Sequence, residues 1–270
     1  MLKDIIYSGF KKFQIDRGDT LLIRANLTKL IYQIKEKNNT TNKPSKNTKL
    51  LPQKIIDTML DYLGPKGTII GLTFTSQFPL SAIDENYIFN QSTPCNTGTF
   101  GKALLNHPKH IRSKHPTTSF TAIGYNAKNI TENHNPDTTP FQPMQNIIQL
   151  NGKLLLIGCH NSSPGFTTVH FTQSKLGLSK QKLPFNKKGV YYLKNNKKTL
   201  YIEKEQGGCS LGFSNFYKDY IESNLLKTDY IGKSYSLMIN AKDAYTIEKK
   251  ILKQNPRYAL CHLKSCHECR

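Results

Sequence analysis

Residues 93–124, TPCNTGTFGKALLNHPKHIRSKHPTTSFTAIG, carry the most specific pattern in this chain. A Thr-Pro pair and a helix that opens at a glycine come first. The motif Arg-Ser-x-His-Pro-x-x-Ser-Phe follows, and the apolar run SFTAIG ends the stretch. That run, residues 119–124, is apolar enough to form a strand in the middle of a sheet. Composition alone does not produce such a pattern. The other predicted elements lie on either side of this stretch.

Three further apolar runs predict buried strands on either side of this stretch. They are TLLI (20–23), TIIGLTF (68–74) and KLLLIGC (153–159). Apolar residues at helical spacing precede the first run, over 4–13, and recur between the first and second runs, over 55–63. A Gly-Pro-Lys-Gly turn closes the second of these helices. Strands separated by helices predict an α/β protein, a layered α/β/α domain with a central mixed sheet.

The pattern changes after residue 185. The runs GVYYL (189–193) and TLYIE (199–203) flank the polar turn KNNKK and predict a β-hairpin. Two helices are expected after the hairpin, near 214–225 and 241–253, the second with an apolar face. This region is therefore expected to add a hairpin and two helices to the layered domain.

With 270 residues and 37% hydrophobic content, the chain can bury a core of ordinary size. We expect a single domain over 1–270, within which 186–270 can form a C-terminal subdomain. The segment 37–49 contains no large apolar residue and predicts an exposed loop. The N-terminus has charge within its first four residues, and no run reaches the ~18 apolar residues of a spanning helix. We therefore expect a cytoplasmic protein.

Lysine and arginine outnumber aspartate and glutamate by 38 to 18, which gives a net charge of +20. Such a charge attracts polyanions, namely nucleic acid, anionic membrane surfaces, and phosphorylated or acidic metabolites. The basic residues are spread in short clusters, however, and no nucleic-acid-binding motif accompanies them. A solvated, lysine-rich surface explains the charge equally well. Nucleic acid is therefore not the expected partner, whereas peripheral attraction to anionic surfaces is left open.

Four stretches of the chain, in the same order, resemble the aminoglycoside 3-N-acetyltransferase (antibiotic N-acetyltransferase) family. They are GDTLLIRANL (18–27), LGPKGTIIGLTFTS (63–76), the stretch 93–124, and LLLIGCHNSSPGFTTVHFTQ (154–173). The resemblance is weaker after this last stretch. It implies a divergent acyltransferase of the kind that confers antibiotic resistance. Such an enzyme binds acetyl-CoA and transfers the acetyl group directly to an amine of an amino sugar.

The family places a general base and an orienting carboxylate as His-x-x-Glu, one helical turn apart. The resemblance aligns His170 with the base and Gln173 with the carboxylate. A glutamine can hold the imidazole through a hydrogen bond, but it brings no charge to stabilise imidazolium. Glu132 and Asp137, near the motif loops, are candidates for a replacement carboxylate. His115, in the Arg-Ser-x-His-Pro motif, is implied to line the cleft and to take part in catalysis.

The cofactor side of the resemblance also differs from the family. The family's opening strand continues into His-Ser-Ser-Leu toward CoA, whereas this chain has Arg-Ala-Asn-Leu from Arg24 onward. Two hydroxyl groups are lost, and a guanidinium that can pair with a phosphate or an anionic substrate is added. A helix start near Gly98 can offer backbone N–H groups to phosphate. The implied acetyl-CoA contacts are Arg24, Asn26, Thr93, Asn96, Thr97, Gly98, Ser113 and Ser119.

The charge of the chain bears on the acceptor. Aminoglycosides are polycations, and a strongly basic protein attracts them poorly at long range. We therefore expect an acceptor that is an anionic amino sugar or one linked to a phosphorylated, nucleotide or lipid carrier. One alternative is a catalytically inactive relative that acts as a binding or scaffold protein. A nucleic-acid-binding protein is a third hypothesis, based on charge alone.

Three of the six cysteines lie within the last ten residues, as Cys261-x4-Cys266-x2-Cys269. Thiols at this spacing can bind one metal ion, and Cys209, after two glycines, is the candidate for the fourth ligand of a tetrahedral zinc site. His262 or His267 can take its place. The spacing also resembles part of a plant-type iron–sulfur pattern, without its wider context. The alternative is a tail of reduced, idle thiols.

Overall fold

The computed structural model describes residues 1–37, 50–179, 187–205, 209–266 and 269. The exposed loop predicted at 37–49 lies outside these residues, apart from the end of a helix at residue 37. Within the described part of the chain, no helix is both long enough and apolar enough to cross a membrane.

Helices and strands alternate along most of the described chain. The described α-helices are α1 (Leu2–Lys12), α2 (Thr28–Lys37), α3 (Leu51–Leu63), α4 (Gly98–Leu105), α5 (Ala127–Thr131), α6 (Pro143–Gln149), α7 (Thr168–Lys175), α8 (Phe216–Glu222) and α9 (Ala241–Gln254). The described strands are β1 (Thr20–Ala25), β2 (Thr68–Leu72), β3 (Phe78–Pro79), β4 (Ile88–Phe89), β5 (Ile111–Arg112), β6 (Phe120–Gly124), β7 (Lys153–Ile157), β8 (Lys188–Lys194), β9 (Lys197–Ile202), β10 (Lys227–Ile231) and β11 (Ser234–Asn240). The described 3-10 turns lie at Leu80–Ala82 and Leu211–Asn215.

The central sheet has seven strands in the order β10-β11-β7-β1-β2-β6-β5. β1 runs parallel to both of its neighbours, with Leu22 opposite Ile70 of β2 and Leu154 of β7. The other strand pairs of this sheet are antiparallel. The strands predicted from the apolar runs are the adjacent strands β7, β1, β2 and β6, so the central mixed sheet is confirmed. The C-terminal ends of the three parallel strands meet at one edge of the sheet.

Each face of the central sheet is covered by its own apolar layer. Along β1, Leu21 and Ile23 belong to a core layer with residues of α1 to α4. Leu22 points to the opposite face and belongs to a second layer, with residues of α5, α6, α7 and α9. A strand buried on both faces needs an apolar residue at every position. This is why the central strands appear in the sequence as continuous apolar runs.

The predicted hairpin is present as β8 and β9. It turns at Asn195 and Asn196, whose φ angles of 50° and 61° suit the two-residue turn that matches strand twist. β8 also pairs with β3 and β4, and these strands form a second, smaller sheet. β10 and β11 instead extend the central sheet. The described part of 186–270 is thus shared between two sheets, and the division into a domain and a subdomain stays a prediction.

Helix α9, predicted near 241–253, packs against α7 and buries Glu248 completely. Its Oε1 lies 2.5 Å from the Thr168 hydroxyl and 2.6 Å from the Tyr220 hydroxyl, and its Oε2 lies 2.8 Å from the Thr172 hydroxyl. Burial raises the pKa of Glu248 to about 7, and the three hydroxyl groups oppose that rise. The Thr172 hydroxyl also lies 2.9 Å from the Thr168 carbonyl oxygen. The Thr172 hydroxyl has only one proton to donate. When Glu248 is protonated, its carboxyl group can donate to Thr172, and Thr172 can donate its own proton to the Thr168 carbonyl oxygen.

Glu248→Gln is expected to flatten the pH dependence of stability. The pKa of Glu248 rises on folding from 4.5 to about 7, so the folded protein binds more protons than the unfolded chain between these pH values. The free energy of unfolding should therefore fall by about 3 kcal/mol as pH rises through this window, and the Gln variant should lack that part. Urea unfolding at several pH values from 4.5 to 8 measures the difference. Glu222→Gln, at an exposed carboxylate, is the control and should behave as the unmodified protein; equal slopes in all three proteins would contradict the assignment.

Candidate active site

A cavity of about 590 Å³ opens where the three parallel strands end. In open α/β sheets, ligands commonly bind at the carboxyl ends of the strands. The cavity is lined by Ile23, Arg24, Ala25, Asn26, Leu27, Leu72, Phe74, Thr97, Gly98, Thr99, Phe100, Gly101, Phe141, Cys159, Ser162, Ser163, Thr167, His170, Ser210 and Phe213. Five residues predicted for the site are among them: His170, Arg24, Asn26, Thr97 and Gly98.

His170 projects from α7 between two aromatic rings. The ring of Phe141 stacks on the imidazole at 4.5 Å, with an interplanar angle of 18°. The ring of Phe213 meets the imidazole edge to face at 4.6 Å and 69°. Nδ1 of His170 is buried and has no hydrogen-bond partner among the described residues. Burial, and then the positive charge of Arg24, lower the pKa of His170 to about 3, so the imidazole is neutral at physiological pH.

Gln173 follows His170 by one helical turn and brings no carboxylate to it. A hydrogen bond with the Gln173 side chain raises the pKa of His170 and so opposes the lowering effect of burial. No Asp or Glu is among the described residues that line the cavity. Of the two replacement candidates, Glu132 pairs with Lys128 at 3.8 Å and Asp137 pairs with Lys194 at 3.7 Å. Neither lines the cavity with His170.

Arg24 is the next-to-last residue of β1, and it lines the cavity. It donates to the carbonyl oxygens of Gly165 (2.8 Å) and Ser163 (2.9 Å), and to the Ser163 hydroxyl. These hydrogen bonds hold the loop between β7 and α7 in place, but none of the acceptor groups carries a negative charge. Burial lowers the pKa of Arg24. A cation held by neutral groups at a cavity wall favours a ligand that carries negative charge.

The start of α4 forms the opposite wall. Gly98, with a φ of +79°, is the first residue of this helix. The Thr97 hydroxyl donates to the carbonyl oxygen of Leu72 at 2.5 Å and so fixes the helix start to β2. Asn96 is exposed; its side chain donates to the Ser76 hydroxyl at 3.1 Å, and it is not among the lining residues. Asn26 lines the cavity and caps the N–H of Thr28 at 3.1 Å.

Three other predicted cofactor contacts lie in a buried network around Arg112. The guanidinium donates to the Ser119 hydroxyl (2.9 Å), to the Thr73 carbonyl (2.9 Å) and to the Thr93 carbonyl. The Ser113 hydroxyl accepts from the backbone N–H of Phe120 at 2.9 Å. None of these groups is among the lining residues of the cavity. They join β5 and β6 to the chain after β2.

His115 lies in a different place from His170. Its Nδ1 accepts from the Thr118 N–H at 3.2 Å, so Nε2 carries the proton and donates to the Tyr201 hydroxyl at 3.1 Å. The ring stacks on His134 at 4.6 Å. Burial, His134 and a nearby lysine hold the pKa of His115 well below its usual value. Tyr201 and Glu203 line a separate cavity of about 490 Å³ under the hairpin, and His115 is not among the lining residues of the His170 cavity.

The cysteines predicted as a metal site do come together. The sulfur atoms of Cys209, Cys261, Cys266 and Cys269 all lie within 4.8 Å of one another. His262 is exposed, and His267 lies outside the described residues. None of the six cysteines of the chain forms a disulfide.

The sequence alone did not point to the two rings that hold His170. Phe141 precedes α6, and Phe213 lies in the turn Leu211–Asn215, more than forty residues after His170 in the chain. Neither belongs to the motif that contains His170, and no local pattern marks either ring. Cys159 and Thr167 line the cavity from within the stretch 154–173, which resembles the family as a whole without marking either residue.

Comparison with known proteins gives a consistent result. Residues 43–253 match a family model described as aminoglycoside 3-N-acetyltransferase. Aminoglycoside N(3)-acetyltransferase III of a Salmonella species is 25% identical over 185 residues, which span 63% of this chain and 59% of that relative. The matched region is thus less than two thirds of that relative's length.

Solved structures resemble the whole chain. A histidine-to-alanine variant of aminoglycoside acetyltransferase AAC(3)-IVa in complex with gentamicin has a TM-score of 0.77 at 18% identity, covering 99% of this chain and 94% of that one. AAC-IIIb in a binary complex with CoASH has a TM-score of 0.73 at 16% identity, covering 93% and 96%. At these identities, the likeness establishes the fold.

Arg24→Gln is expected to raise the pKa of His170, and Arg24→Lys is expected to leave it low. The reason is that the charge at position 24 is the second cause, after burial, of the lowered pKa. Titration of the imidazole resonances by NMR, with His170→Gln to assign them, measures the shift. The backbone resonance of Gly165 reports whether the loop that Arg24 holds keeps its place. An unchanged or lower pKa in the Gln variant, with that loop intact, would exclude the electrostatic effect.

Proposed function

This chain belongs to the aminoglycoside 3-N-acetyltransferase family, and we propose that it transfers the acetyl group of acetyl-CoA directly to the amine of an amino sugar. The observation that carries the proposal is the setting of His170. Its neutral imidazole lines a cavity at the ends of the parallel strands, and Nδ1 has no partner among the described residues. A neutral imidazole that lines a cavity can accept a proton from a bound substrate.

In the proposed step, the amine nitrogen attacks the carbonyl carbon of the acetyl thioester. An N–C bond forms, and the C–S bond to CoA breaks. His170 accepts the proton that the amine loses, and this proton then reaches the departing CoA thiolate. A pKa of about 3 makes the free His170 a weak base, whereas general bases work best with a pKa near the operating pH. Substrate binding therefore has to raise the basicity of His170.

A negative charge beside Arg24 would have this effect. The charge of Arg24 lowers the pKa of His170, and the groups that Arg24 contacts are neutral. An anionic group that pairs with the guanidinium offsets its field and stabilises imidazolium. This supports an acceptor that is anionic or linked to a phosphorylated, nucleotide or lipid carrier. The absence of carboxylates among the described lining residues also speaks against a polycationic acceptor in this cavity.

Acetyl-CoA is the acyl donor that we propose for this cavity. Its volume of about 590 Å³ lies in the range of about 300 to 1,000 Å³ that is usual for small-molecule sites. Asn26, Thr97 and Gly98 would contact the CoA arm, and Arg24 would meet an anionic group of either substrate. AAC-IIIb, which shares the fold, was solved with CoASH. We propose no proton transfer by His115, because it lies outside this cavity.

The alternative is a catalytically inactive relative that acts as a binding or scaffold protein. The replacement of the family's carboxylate by Gln173 and the low pKa of His170 favour it. The cytoplasmic location expected from the sequence stays a prediction. A structural zinc ion at the cysteines would take no part in the acetyl transfer.

Calorimetric titration with acetyl-CoA and with free CoA is expected to show saturable binding. His170→Ala should keep the dissociation constant of acetyl-CoA close to that of the unmodified protein, because the imidazole acts on the amine. Acetyl transfer should fall by about 10² or more, as is usual when a general base is removed. Absence of binding at millimolar acetyl-CoA would remove the enzyme assignment and leave the scaffold alternative.

Gln173→Glu is expected to raise turnover by about tenfold or more, because a carboxylate stabilises imidazolium where an amide cannot. Release of the CoA thiol, with glucosamine 6-phosphate and with gentamicin as acceptors, measures the rates. Gln149→Glu adds the same charge at an exposed position and should change neither rate. The anionic sugar is expected to be the better acceptor. Faster acetylation of gentamicin by the unmodified protein would overturn the proposed acceptor class, and no gain in the Gln173 variant would overturn the role given to that position.

A further inference from the structure

The four cysteines brought together near the C-terminus have the geometry of a metal site. Their sulfur atoms all lie within 4.8 Å of one another. In a tetrahedral site with Zn–S bonds of about 2.3 Å, the sulfurs are about 3.8 Å apart. A contraction of one ångström or less would therefore seat the ion. One ligand, Cys209, comes from a segment about fifty residues before the other three, so a bound ion would cross-link distant parts of the chain.

Backbone groups around the cluster suit thiolate ligands. The N–H of Leu211 points to the sulfur of Cys209 at 3.3 Å, and the N–H of Cys261 points to the sulfur of Cys269 at 3.5 Å. Such donors orient and stabilise metal-bound thiolates. The N–H of Cys269 also donates to the carbonyl of Cys266 at 3.3 Å, which keeps these two residues close to each other. Four sulfur ligands select zinc or iron over magnesium or calcium.

A short path of contacts leads from this cluster to His170. Cys209 is followed directly by Ser210, which lines the His170 cavity. The turn Leu211–Asn215 comes next and carries Phe213, whose ring meets the imidazole at 4.6 Å. The cluster therefore lies at one end of the segment that forms a wall of the cavity.

Two glycines show how tightly this wall is packed. A Cβ atom on Gly212 would lie 2.4 Å from the carbonyl carbon of Leu260, the residue before Cys261. A Cβ atom on Gly165 would lie 2.1 Å from Cβ of Phe213. The turn is thus held between the cysteine segment and the loop that Arg24 binds. Its far end, Asn215, is tied to Tyr258 by two hydrogen bonds of 2.8 and 3.1 Å.

We propose that Cys209, Cys261, Cys266 and Cys269 bind one zinc ion, and that this ion holds the segment from Ser210 to Phe213 in place as a wall of the His170 cavity. Zinc fixes the Cys209 end of the segment in place, as the hydrogen bonds to Tyr258 fix the Asn215 end. Loss of the ion leaves Phe213 free to move away from His170. The zinc is a structural ion with four protein ligands, and it takes no part in proton transfer.

Metal analysis of the full chain, purified without chelators, tests the site. The expected zinc-to-protein ratio is close to one. Cys209→Ser should lower it strongly, and Cys209→His, which rebuilds a Cys3His set, should restore most of it. Cys95→Ser, a buried cysteine outside the cluster, is the control and should keep the ratio. A ratio near zero, or iron in place of zinc, in the unmodified protein would overturn the zinc site without any variant having to fold.

NMR of the aromatic ring resonances tests the link to the cavity. Removal of zinc from the unmodified protein by a strong chelator should shift the ring signals of His170 and Phe213, and leave those of Tyr62 in the opposite core layer unchanged. Zinc added back should reverse the shift. If the His170 and Phe213 ring signals of the zinc-loaded protein stay the same after the metal is removed, the proposed role of zinc in holding this wall is overturned. These measurements need neither acetyl-CoA nor an acceptor, so they stand apart from the outcome for acetyl transfer.

Discussion

The parallel pairing of β1 with both β2 and β7 is the constraint on which the rest of the structure depends. Because the three strands run in the same direction, their carboxyl ends meet at one edge and open the cavity there. β1 contributes to both apolar layers, with Leu21 and Ile23 on one face of the sheet and Leu22 on the other. Arg24, the next-to-last residue of this strand, lines the cavity, so β1 serves both the core and the cavity. A change of register in β1 would move the guanidinium and both layers together.

Charge decides what the cavity can do. Arg24 is a partly buried cation whose partners are carbonyl oxygens and a hydroxyl, and it acts on His170 together with burial to keep the imidazole neutral. Gln173 adds no negative charge where the family has a carboxylate. The free protein thus has a neutral imidazole at His170 and, near it, a cation whose hydrogen-bond acceptors are neutral. An anionic ligand that pairs with Arg24 would offset the field of the guanidinium at His170, as proposed above.

The most specific stretch of the sequence serves mainly to hold the fold. Arg112 is buried, and its guanidinium contacts oxygen atoms of Thr73, Thr93 and Ser119. Burial lowers the pKa of Arg112 to about 10. Buried polar groups without partners are costly, so a network of this kind accepts few substitutions. This explains how a stretch with a recognisable pattern can lie outside the His170 cavity except at residues 97–101, where the start of α4 lines the wall.

The sequence by itself determined the α/β class, the central strands and the hairpin. It also predicted His170 with Gln173 one turn later, and the three C-terminal cysteines with Cys209 as a candidate fourth ligand. These features are local patterns of apolar run, helical spacing and ligand type, and a chain shows such patterns without folding. Only the tertiary structure decided that Phe141 and Phe213 enclose His170, that Arg24 acts on its pKa, and that His115 lies under the hairpin beside Tyr201. Contacts of this kind join residues far apart in the chain. They depend on the register of the strands and on how helices pack on the sheet, and neither leaves a mark in the local sequence.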